Sequence, residues 1–539
     1  MADKTAEKPA KAAKPDLLTV AEATDYRQTS LHKDVLAFVE QLAPRTDCMK
    51  VLSMGKSGLG QEMPVLVLSK KKLFTPEKAH ASGLPVALVI ANIHAGEVEG
   101  KEAVLMLARD ITTGRLGRLM DEVTLVLVPN YNPDGNDRID KKHRALDLRA
   151  LEGQLGPEGG VGTRYTGQGI NLNRDYMKQE AVESRHLSKL FGEWNPHLVV
   201  DCHTTDGSIH GYDLTFDTSH TVESGPKSPI LHMRDSALPA ISKSLKKRTG
   251  YRTFFYGNFK DPSDPSKGWE TYPALPRYGS HYRGLTGRMD ILLETYSYID
   301  FHRRCDVIYE FLVEIFDYVA EHGDDIVHIV ESTAADTIAR GKRPSPDDTI
   351  GVNYGVATRD AKGSLLFQYP VHPLFSFECE AWDLASQKDR TVPGKKRETY
   401  RTMFFGRFVP TKAVRRPLAY ILPAAESKVA EHLQLHNIRV EQVQKAAEFA
   451  VEHYVVMQRE TTSSPDVGTQ KRTETVFWVR GERSTYAAKA GDFLVPMDQP
   501  LANLAVYLLE PESDDGCARW GFFDGVKPGD LFPARRMVP

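Results

Sequence analysis

The chain has 539 residues, with 69 Lys or Arg against 72 Asp or Glu, and therefore a formal net charge of −3. This near-neutral balance excludes a polybasic nucleic-acid-binding protein, because such a protein needs an excess of cations over phosphate. With 41% hydrophobic residues, the chain is long enough to form several domains with buried cores. No apolar run approaches the roughly 20 residues of a membrane-spanning helix, which excludes a membrane span.

The beginning of the chain predicts a tail without a fixed fold. Residues 1–15 are rich in Ala, Lys and Pro and lack the apolar stretch of a secretory signal. We therefore expect a disordered tail over residues 1–19. As written, the chain is expected to be cytoplasmic. It would be secreted or periplasmic if this is a mature or recombinant form that has lost a signal before the present Met1.

Residues 20–330 alternate short β-branched runs with amphipathic stretches, which predicts an α/β domain with a mostly parallel sheet. The expected strands are residues 63–69, 86–92, 123–129, 197–202 and 289–295. The expected helices are residues 33–42, 100–111, 178–194, 229–247 and 301–322.

Residues 331–539 have a different sequence pattern, with several β-rich runs and few long helical patterns. We expect a mainly β accessory part here, formed by one or two domains. Its expected strands are residues 418–422, 450–457, 475–479, 493–495 and 504–509, with one short helix at 424–434.

Polar residues follow several of the expected buried strands in the α/β domain. His94 and Glu97 come after one strand, His203 after a second, and Glu294 ends a third. Ligand sites of open α/β sheets lie at the carboxyl ends of the strands. Two histidines and one carboxylate are the donors of a catalytic zinc ion with an open position for water, and a further buried Glu can serve as general base.

The order and wording of these motifs resemble the zinc carboxypeptidases of the carboxypeptidase A type. The resemblance covers roughly residues 20–325 and implies a mixed, mostly parallel twisted sheet flanked by helices. The motifs that carry it are HAGE (94–97), NPDG (132–135), NLNRD (171–175), His203 and LLETYSY around Glu294, with GKSGLGQEMPVLVLS (55–69) before them.

The resemblance also implies the roles of individual residues. It makes His94, Glu97 and His203 the ligands of one Zn²⁺ per chain, and Glu294 the base that deprotonates the zinc-bound water. Asn173 and Arg174 match the pair that binds the free carboxylate of a peptide. Arg164 is the best match for the arginine that polarises the scissile carbonyl, with Arg138 and Arg144 as alternatives. Tyr272 is the match for the tyrosine over the substrate, with Tyr278 and Tyr282 as alternatives.

Two further hypotheses concern the surroundings of the site. Asp201 points to the same face of its strand as His203, so it could accept a hydrogen bond from the second nitrogen of that imidazole. Arg277, Arg283 and Arg288 would favour an acidic leaving residue if any of them faced the substrate.

The function expected from these residues is a zinc-dependent carboxypeptidase that hydrolyses the peptide bond next to a free C-terminal carboxylate. Its partner would be a peptide with a free C-terminus. Two alternatives are a zinc amidohydrolase acting on murein or γ-glutamyl peptides, and an inactive binding protein of the same fold. The sequence leaves open the leaving residue, the role of residues 331–539 and the oligomeric state.

Overall fold

A computed structural model describes residues 15–356, 376–382, 397–464, 468–469 and 472–538. Most of the expected N-terminal tail, residues 1–14, lies outside these ranges. Among the described residues, no helix combines the length and the apolar composition that crossing a membrane requires.

The first part of the chain forms the expected α/β region. Its strands are β1 (Met49–Lys56), β2 (Glu62–Leu68), β3 (Val86–Ala91), β4 (Thr124–Val128), β5 (Leu198–Thr204), β6 (Leu214–Asp217), β7 (Thr253–Phe255), β8 (Asn258–Phe259), β9 (Trp269–Glu270) and β10 (Met289–Thr295). Its helices are α1 (Val20–Ala23), α2 (His32–Leu42), α3 (Pro76–Ala81), α4 (Glu99–Thr112), α5 (Leu119–Glu122), α6 (Pro133–Asn136), α7 (Val182–Trp194), α8 (Lys227–His232), α9 (Leu238–Thr249), α10 (Gly279–Leu285), α11 (Phe301–Glu321) and α12 (Gly323–Lys342).

Eight strands form one sheet in the order β1-β2-β4-β3-β5-β10-β6-β7. The central strands β4, β3, β5 and β10 run parallel to one another. They are flanked by β2 and β6, which pair with them in the antiparallel sense. The expectation of a mixed, mostly parallel sheet between helices is therefore confirmed.

The central strands are apolar because both of their faces are covered. Every residue of β3, β4, β5 and β10 is buried. One face packs against α2, α4, α9 and α11, and the other packs against α7 and the C-terminal part of the chain. Strands buried on both sides lose the alternation of polar and apolar residues, which explains why they read as continuous hydrophobic runs.

Helix α7 begins four residues later than the sequence pattern predicts. Before it, the carboxylate of Asp175 accepts hydrogen bonds from the backbone N–H groups of Glu180 and Ala181, at 3.0 and 2.9 Å. These bonds hold residues 175–181 in a turn. The expected helix over 229–247 is also divided, because a π-helical turn at Met233–Ala237 separates α8 from α9.

The residues after α12 form a mainly β part, which we call the C-terminal region. Its strands are β11 (Thr349–Val356), β12 (Ser376–Trp382), β13 (Arg397–Phe405), β14 (Phe408–Arg415), β15 (Ala419–Leu422), β16 (Glu441–Gln442), β17 (Ala447–Ser464), β18 (Arg472–Ala488), β19 (Phe493–Pro496) and β20 (Arg535–Met537), and its helices are α13 (Ser427–Leu435) and α14 (Ala502–Leu509). The largest sheet has six strands in the order β16-β19-β15-β20-β17-β18.

One expected strand of the C-terminal region is wrong. Residues 504–509, expected to form a strand, belong to helix α14, all of whose residues are buried. A helix that is apolar on every side shows no helical period, so its sequence resembles that of a buried strand. Helix α12 was not anticipated, and the expected domain boundary at residue 330 falls inside it.

Candidate metal and catalytic site

The site lies at the carboxyl ends of the central parallel strands. After β3 the chain turns at Asn92, whose φ of 65° lies in the left-handed region that Asn tolerates better than most residues. The loop that follows carries His94 and Glu97, and α4 begins at Glu99. His203 is the next-to-last residue of β5, which pairs with β3. Adjacent strands thus bring the loop and His203 together.

The three expected metal ligands form a compact, buried set of donors. The ligand atoms of His94, Glu97 and His203 lie within 4.8 Å of one another. Glu97 Oε1 is 3.0 Å from His94 Nδ1, and Glu97 Oε2 is 3.0 Å from His203 Nδ1. Two imidazoles and one carboxylate suit a catalytic zinc ion that keeps a fourth position open. These residues therefore fit a zinc ion.

Each histidine has a polar side chain beside its other ring nitrogen. His203 Nε2 lies 3.1 Å from Asp201 Oδ1, as the spacing of the two residues on β5 predicts. Asp201 in turn accepts a hydrogen bond of 3.0 Å from Arg283. Outer contacts of this kind fix the tautomer and the ring orientation of a ligating imidazole.

His94 has a corresponding partner that the sequence analysis missed. Its Nε2 lies 3.1 Å from Asn171 Oδ1. The same oxygen accepts a hydrogen bond from the backbone N–H of Asn173 and caps the short 3-10 turn Leu172–Arg174. An Asn one residue before a turn is a capping signal, which could have singled out Asn171.

Burial and neighbouring charges shift the pKa values of the three ligands in different directions. Burial would lower the pKa of His203, but the charges of Asp201 and Glu97 outweigh it and raise this pKa to about 10. Burial and the nearby Arg164 lower the pKa of His94 to about 3. For Glu97, burial is outweighed by the two histidines, so its pKa lies well below the usual value. The site thus stabilises a carboxylate between two imidazoles.

Glu294 lies beside the ligands on the next strand. In the parallel pairing of β10 with β5 it is opposite His203. Burial raises the pKa of Glu294 to about 8; His203 opposes this rise and Glu97 adds to it. A buried carboxylate with a perturbed pKa, next to a set of metal donors in a cavity, has the position expected of a general base.

Two of the three candidate arginines face the ligands. Arg164 Nη1 lies 3.1 Å from His94 Nδ1 and 3.5 Å from Glu97 Oε1. Arg144 Nη1 lies 3.3 Å from Glu97 Oε1, while its Nη2 donates a hydrogen bond of 2.7 Å to the carbonyl of Thr205. Arg138 instead donates to the carbonyl of Gly167 and does not line the cavity.

Asn173 and Arg174 are half-buried at the side of the cavity. The guanidinium of Arg174 stacks on the ring of Tyr278 at 4.3 Å and donates a hydrogen bond to the carbonyl of Asn173. The side-chain oxygen of Asn173 accepts a hydrogen bond of 3.0 Å from the backbone N–H of Gly279. The expected carboxylate-binding pair is therefore held by the segment that begins α10.

Of the three candidate tyrosines, two line the cavity. Tyr272 is stacked on His281, with ring centroids 4.7 Å apart, and meets the ring of Tyr278 edge-on at 5.3 Å. Tyr282 points away from the cavity, because its hydroxyl lies 2.8 Å from His436 Nδ1 in the C-terminal region. Tyr278 therefore remains an alternative to Tyr272 as the tyrosine over the substrate.

A cavity of about 530 Å³ joins these residues. All expected site residues line it except His203. The cavity is also lined by Arg144, Asp206, Tyr256 and Tyr278. Asp206 and Tyr256 were not anticipated, because they lie in irregular segments whose sequence carries no motif.

The three basic residues thought to favour an acidic leaving residue do not line this cavity. Arg277 pairs with Glu474 and Asp515, Arg283 pairs with Asp201 and Asp290, and Arg288 contacts Asn195. Their guanidinium groups are held in these contacts outside the cavity, so they give no support to an acidic leaving residue.

Comparison with known proteins agrees with this geometry. Residues 35–254 match the family model of the zinc carboxypeptidases. This part of the chain is a zinc carboxypeptidase domain. The match includes His94, Glu97, Arg164, Asn173, Arg174 and His203 but ends before Tyr272 and Glu294. Those two residues are placed in the site by the structure.

Relatives extend the similarity beyond that domain. Carboxypeptidase 2 of Trichophyton rubrum is 23% identical over 536 residues, which cover 93% of this chain and 85% of the relative. Human carboxypeptidase Z is 26% identical over 166 residues, 30% of this chain and 23% of the relative. The similarity to carboxypeptidase 2 thus runs through both regions of the chain.

A solved structure with a partial likeness is the metallo-carboxypeptidase of Pseudomonas aeruginosa in complex with (2-guanidinoethylmercapto)succinic acid. It has a TM-score of 0.39 and 15% sequence identity, and the match covers 55% of this chain and 70% of that one. The family assignment rests on the sequence match.

Proposed function

We propose that this protein is a zinc-dependent carboxypeptidase that hydrolyses the last peptide bond of substrates with a free C-terminal carboxylate. The observation that supports this most is one cavity lined by two residues of the three-donor metal set, a buried Glu and an Asn-Arg pair, with the third donor, His203, next to them. These parts correspond to the three tasks of the reaction: binding the metal, moving a proton and recognising the carboxylate.

His94, Glu97 and His203 would hold one zinc ion per chain. When bound, the ion supplies a Lewis acid that polarises the attacking water and the scissile carbonyl. The second nitrogens of the two histidines lie beside Asn171 and Asp201, which would hold both rings in place for a bound ion.

Glu294 is proposed as the general base. It takes the proton of the attacking water and then delivers a proton to the leaving amine, which balances the hydrolysis. Its place opposite His203 on the neighbouring strand puts its carboxylate at the floor of the same cavity. Arg164 is proposed to stabilise the negative charge that develops on the carbonyl oxygen, a task suited to a fixed cation.

Arg174 and Asn173 are proposed to bind the substrate's terminal carboxylate. A guanidinium presents parallel N–H groups to a carboxylate, which gives charge and geometric selectivity together. Tyr272 is proposed as the tyrosine that covers the bound substrate. The inactive binding protein has no observation in its favour, since the donors and the base are all brought together.

The test is the cleavage of matched peptides that end in a free acid or in an amide. Loss of a charge-assisted contact with a half-buried guanidinium costs roughly 2–5 kcal/mol, so the free acid should be cleaved at least about 30-fold better. Arg174→Ala should remove most of this preference by slowing cleavage of the acid. Arg138→Ala is the control, because Arg138 is a nearby arginine outside the cavity.

Equal cleavage of acid and amide by the unmodified enzyme would contradict the carboxypeptidase proposal, even if the metal site proved correct. Cleavage of matched murein peptides and γ-glutamyl peptides, measured beside the ordinary peptides, would show whether these alternative substrates are preferred.

A further inference from the structure

The two loops around the proposed carboxylate site are anchored by the C-terminal region. The first loop, residues 171–180, carries Asn173 and Arg174, and the second, residues 271–283, carries Tyr272 and Tyr278. We call them the carboxylate loops. Both belong to the α/β region, and both also make side-chain contacts with residues beyond position 400.

Arg277 makes the central contact of the second carboxylate loop. It is buried, and its Nε donates a hydrogen bond of 3.0 Å to Asp515 Oδ1, while its Nη1 donates one of 2.7 Å to Glu474 Oε1. Its backbone N–H also donates to Asp515. Both carboxylates belong to the C-terminal region, so this arginine fixes the main chain and the side chain of the loop to that region.

The residues directly after Arg277 contact the carboxylate-binding pair. Tyr278 stacks on the guanidinium of Arg174, and the N–H of Gly279 binds the side-chain oxygen of Asn173. A shift of Arg277 would therefore move both contacts, because Tyr278 and Gly279 are the next two residues of the chain.

Trp520 joins the two carboxylate loops. The guanidinium of Arg277 lies 4.5 Å from the centre of its ring, and the ammonium group of Lys178 in the first loop lies 4.8 Å away. The indole N–H of Trp520 donates a hydrogen bond of 2.9 Å to Asp515. Cations stacked on an indole ring gain from its electrostatic field, so one side chain of the C-terminal region holds both loops.

Further contacts secure the outer ends of the loops. Strand β9, directly before the second loop, pairs with β13 of the C-terminal region. Near the first loop, the N–H of Thr469 donates a hydrogen bond of 2.8 Å to the carbonyl of Gly169, and Arg472 lies 3.2 Å from Glu180. The C-terminal region thus contacts each loop at two or more places.

We propose that Arg277 is a positioning residue for carboxylate recognition, through which the C-terminal region sets the geometry of Arg174 and Asn173. This inference rests on the proposed function. It assigns a task to the C-terminal region, namely completing the substrate site from outside the zinc carboxypeptidase domain. The side chain of Arg277 does not itself line the cavity, so it acts through Tyr278 and Gly279.

The experiment measures kcat and KM of the full-length, zinc-loaded enzyme on matched free-acid and amide peptides. Arg277→Met should lower the preference for the acid by about tenfold or more, a loss of the size expected when a charged contact is misplaced. The change should appear mainly as a higher KM for the acid, while cleavage of the amide stays within about threefold because it does not use the pair. Arg277→Lys should recover part of the preference, since it keeps the charge.

Arg536→Met is the matched control. Arg536 is another buried arginine of the C-terminal region that pairs with two carboxylates, Glu452 and Glu510, but it does not contact the carboxylate loops. The Arg536→Met protein should be less stable, but its ratio of acid cleavage to amide cleavage should be that of the unmodified enzyme. Zinc content, measured in every variant, should stay at the level of the unmodified enzyme.

The outcomes separate the inference from the proposed function. No preference for the acid in the unmodified enzyme would overturn the proposed function. A clear preference that survives in folded, zinc-loaded Arg277→Met would overturn the inference alone. If Arg277→Met does not fold, Trp520→Leu decides by the same ratio, because its half-buried ring contacts both loops and carries no charge.

Discussion

His203 is the residue on which most of the buried charges of the site converge. It touches Glu97 on one side and Asp201 on the other, and Asp201 is held by Arg283, which also pairs with Asp290. Removing one member of such a chain leaves an uncompensated charge in a dry interior, which costs several kcal/mol. This series of contacts explains why Arg283 is buried under the site and does not face the substrate.

The exchange Glu294→Gln should separate metal binding from turnover. The amide cannot accept the proton of water, so kcat should fall by about 10³-fold or more. The zinc content should be unchanged, because Glu294 is not among the three donors. His203→Ala is the paired variant and should lose most of the metal. A Glu294→Gln enzyme within a few-fold of the original kcat would show that the base lies elsewhere.

Asp514 predicts a specific pH dependence of stability. Burial is the main cause that raises its pKa from 3.8 to about 7, with Asp515 adding to it. Between these pH values the folded chain keeps a proton that the unfolded chain has lost. The contribution of this proton to the free energy of unfolding is thus complete below pH 4. It is lost as the pH rises to 7, and the free energy of unfolding falls by at most about 1.4 kcal/mol per pH unit.

Urea unfolding of the protein and of Asp514→Asn at pH 5, 6 and 7 measures this effect. The stability of the original protein should fall relative to that of the variant as the pH rises, since Asn does not titrate. Subtracting the free energy of unfolding of the variant from that of the original protein removes the contribution of the other titrating groups. Parallel curves would show that Asp514 is ionised throughout this range.

At the scale of elements, helix α10 and strand β10 connect the site to its surroundings. The segment that begins α10 holds Asn173, and β10 carries Glu294 next to β5. The buried pair of Arg283 on α10 with Asp290 on β10 ties the two elements together. The carboxylate-binding side and the catalytic side of the cavity are therefore parts of one short helix-strand unit.

Helix α12 offers a test of how tightly the α/β region meets the C-terminal region. A Cβ added at Gly341 would lie 1.8 Å from the carbonyl oxygen of Met497. Alanine in a helix is normally favoured over glycine by about 1 kcal/mol. Here the contact is with backbone and cannot be relieved by a rotamer change, so Gly341→Ala should instead destabilise the protein by about 1–3 kcal/mol.

The measurement is the free energy of unfolding in urea. Gly525→Ala serves as the control, because no heavy atom lies within 4 Å of a Cβ added there. A Gly341→Ala protein as stable as the original would mean that α12 and the segment around Met497 are less closely packed than the structure has them.

At the scale of the whole molecule, one apolar core is shared by the two regions. The face of the sheet formed by Val65, Leu88 and Val126 packs in the same cluster as α7 of the α/β region and α14 of the C-terminal region. Burying apolar surface is the main favourable term in folding. Without the C-terminal region, the part of this face that α7 does not cover would be exposed to water.

The shared core predicts a single unfolding transition. Calorimetry should give one peak, with a calorimetric enthalpy close to the van't Hoff value, although chains of this length commonly unfold in several steps. Two resolved peaks would show that the α/β region and the C-terminal region are stable independently, and that the shared core contributes little to their coupling.

Local pattern predicted some elements well and others poorly. Strand β10 was expected at its observed bounds, because its short and largely apolar run is typical of a buried strand. The run at 504–509 was expected as a strand and forms α14, since the burial that selects its conformation comes from elements distant in the sequence.

The sequence by itself determined the α/β nature of the first region and singled out His94, Glu97, His203 and Glu294. This was possible because their chemistry is unusual at the ends of buried strands. Only the tertiary structure decided which arginines and tyrosines face the cavity, that Asn171 supports His94, and that Arg277 belongs to the C-terminal region's contacts. These outcomes depend on where irregular loops pack, and loop packing is set by distant contacts that no local spacing records.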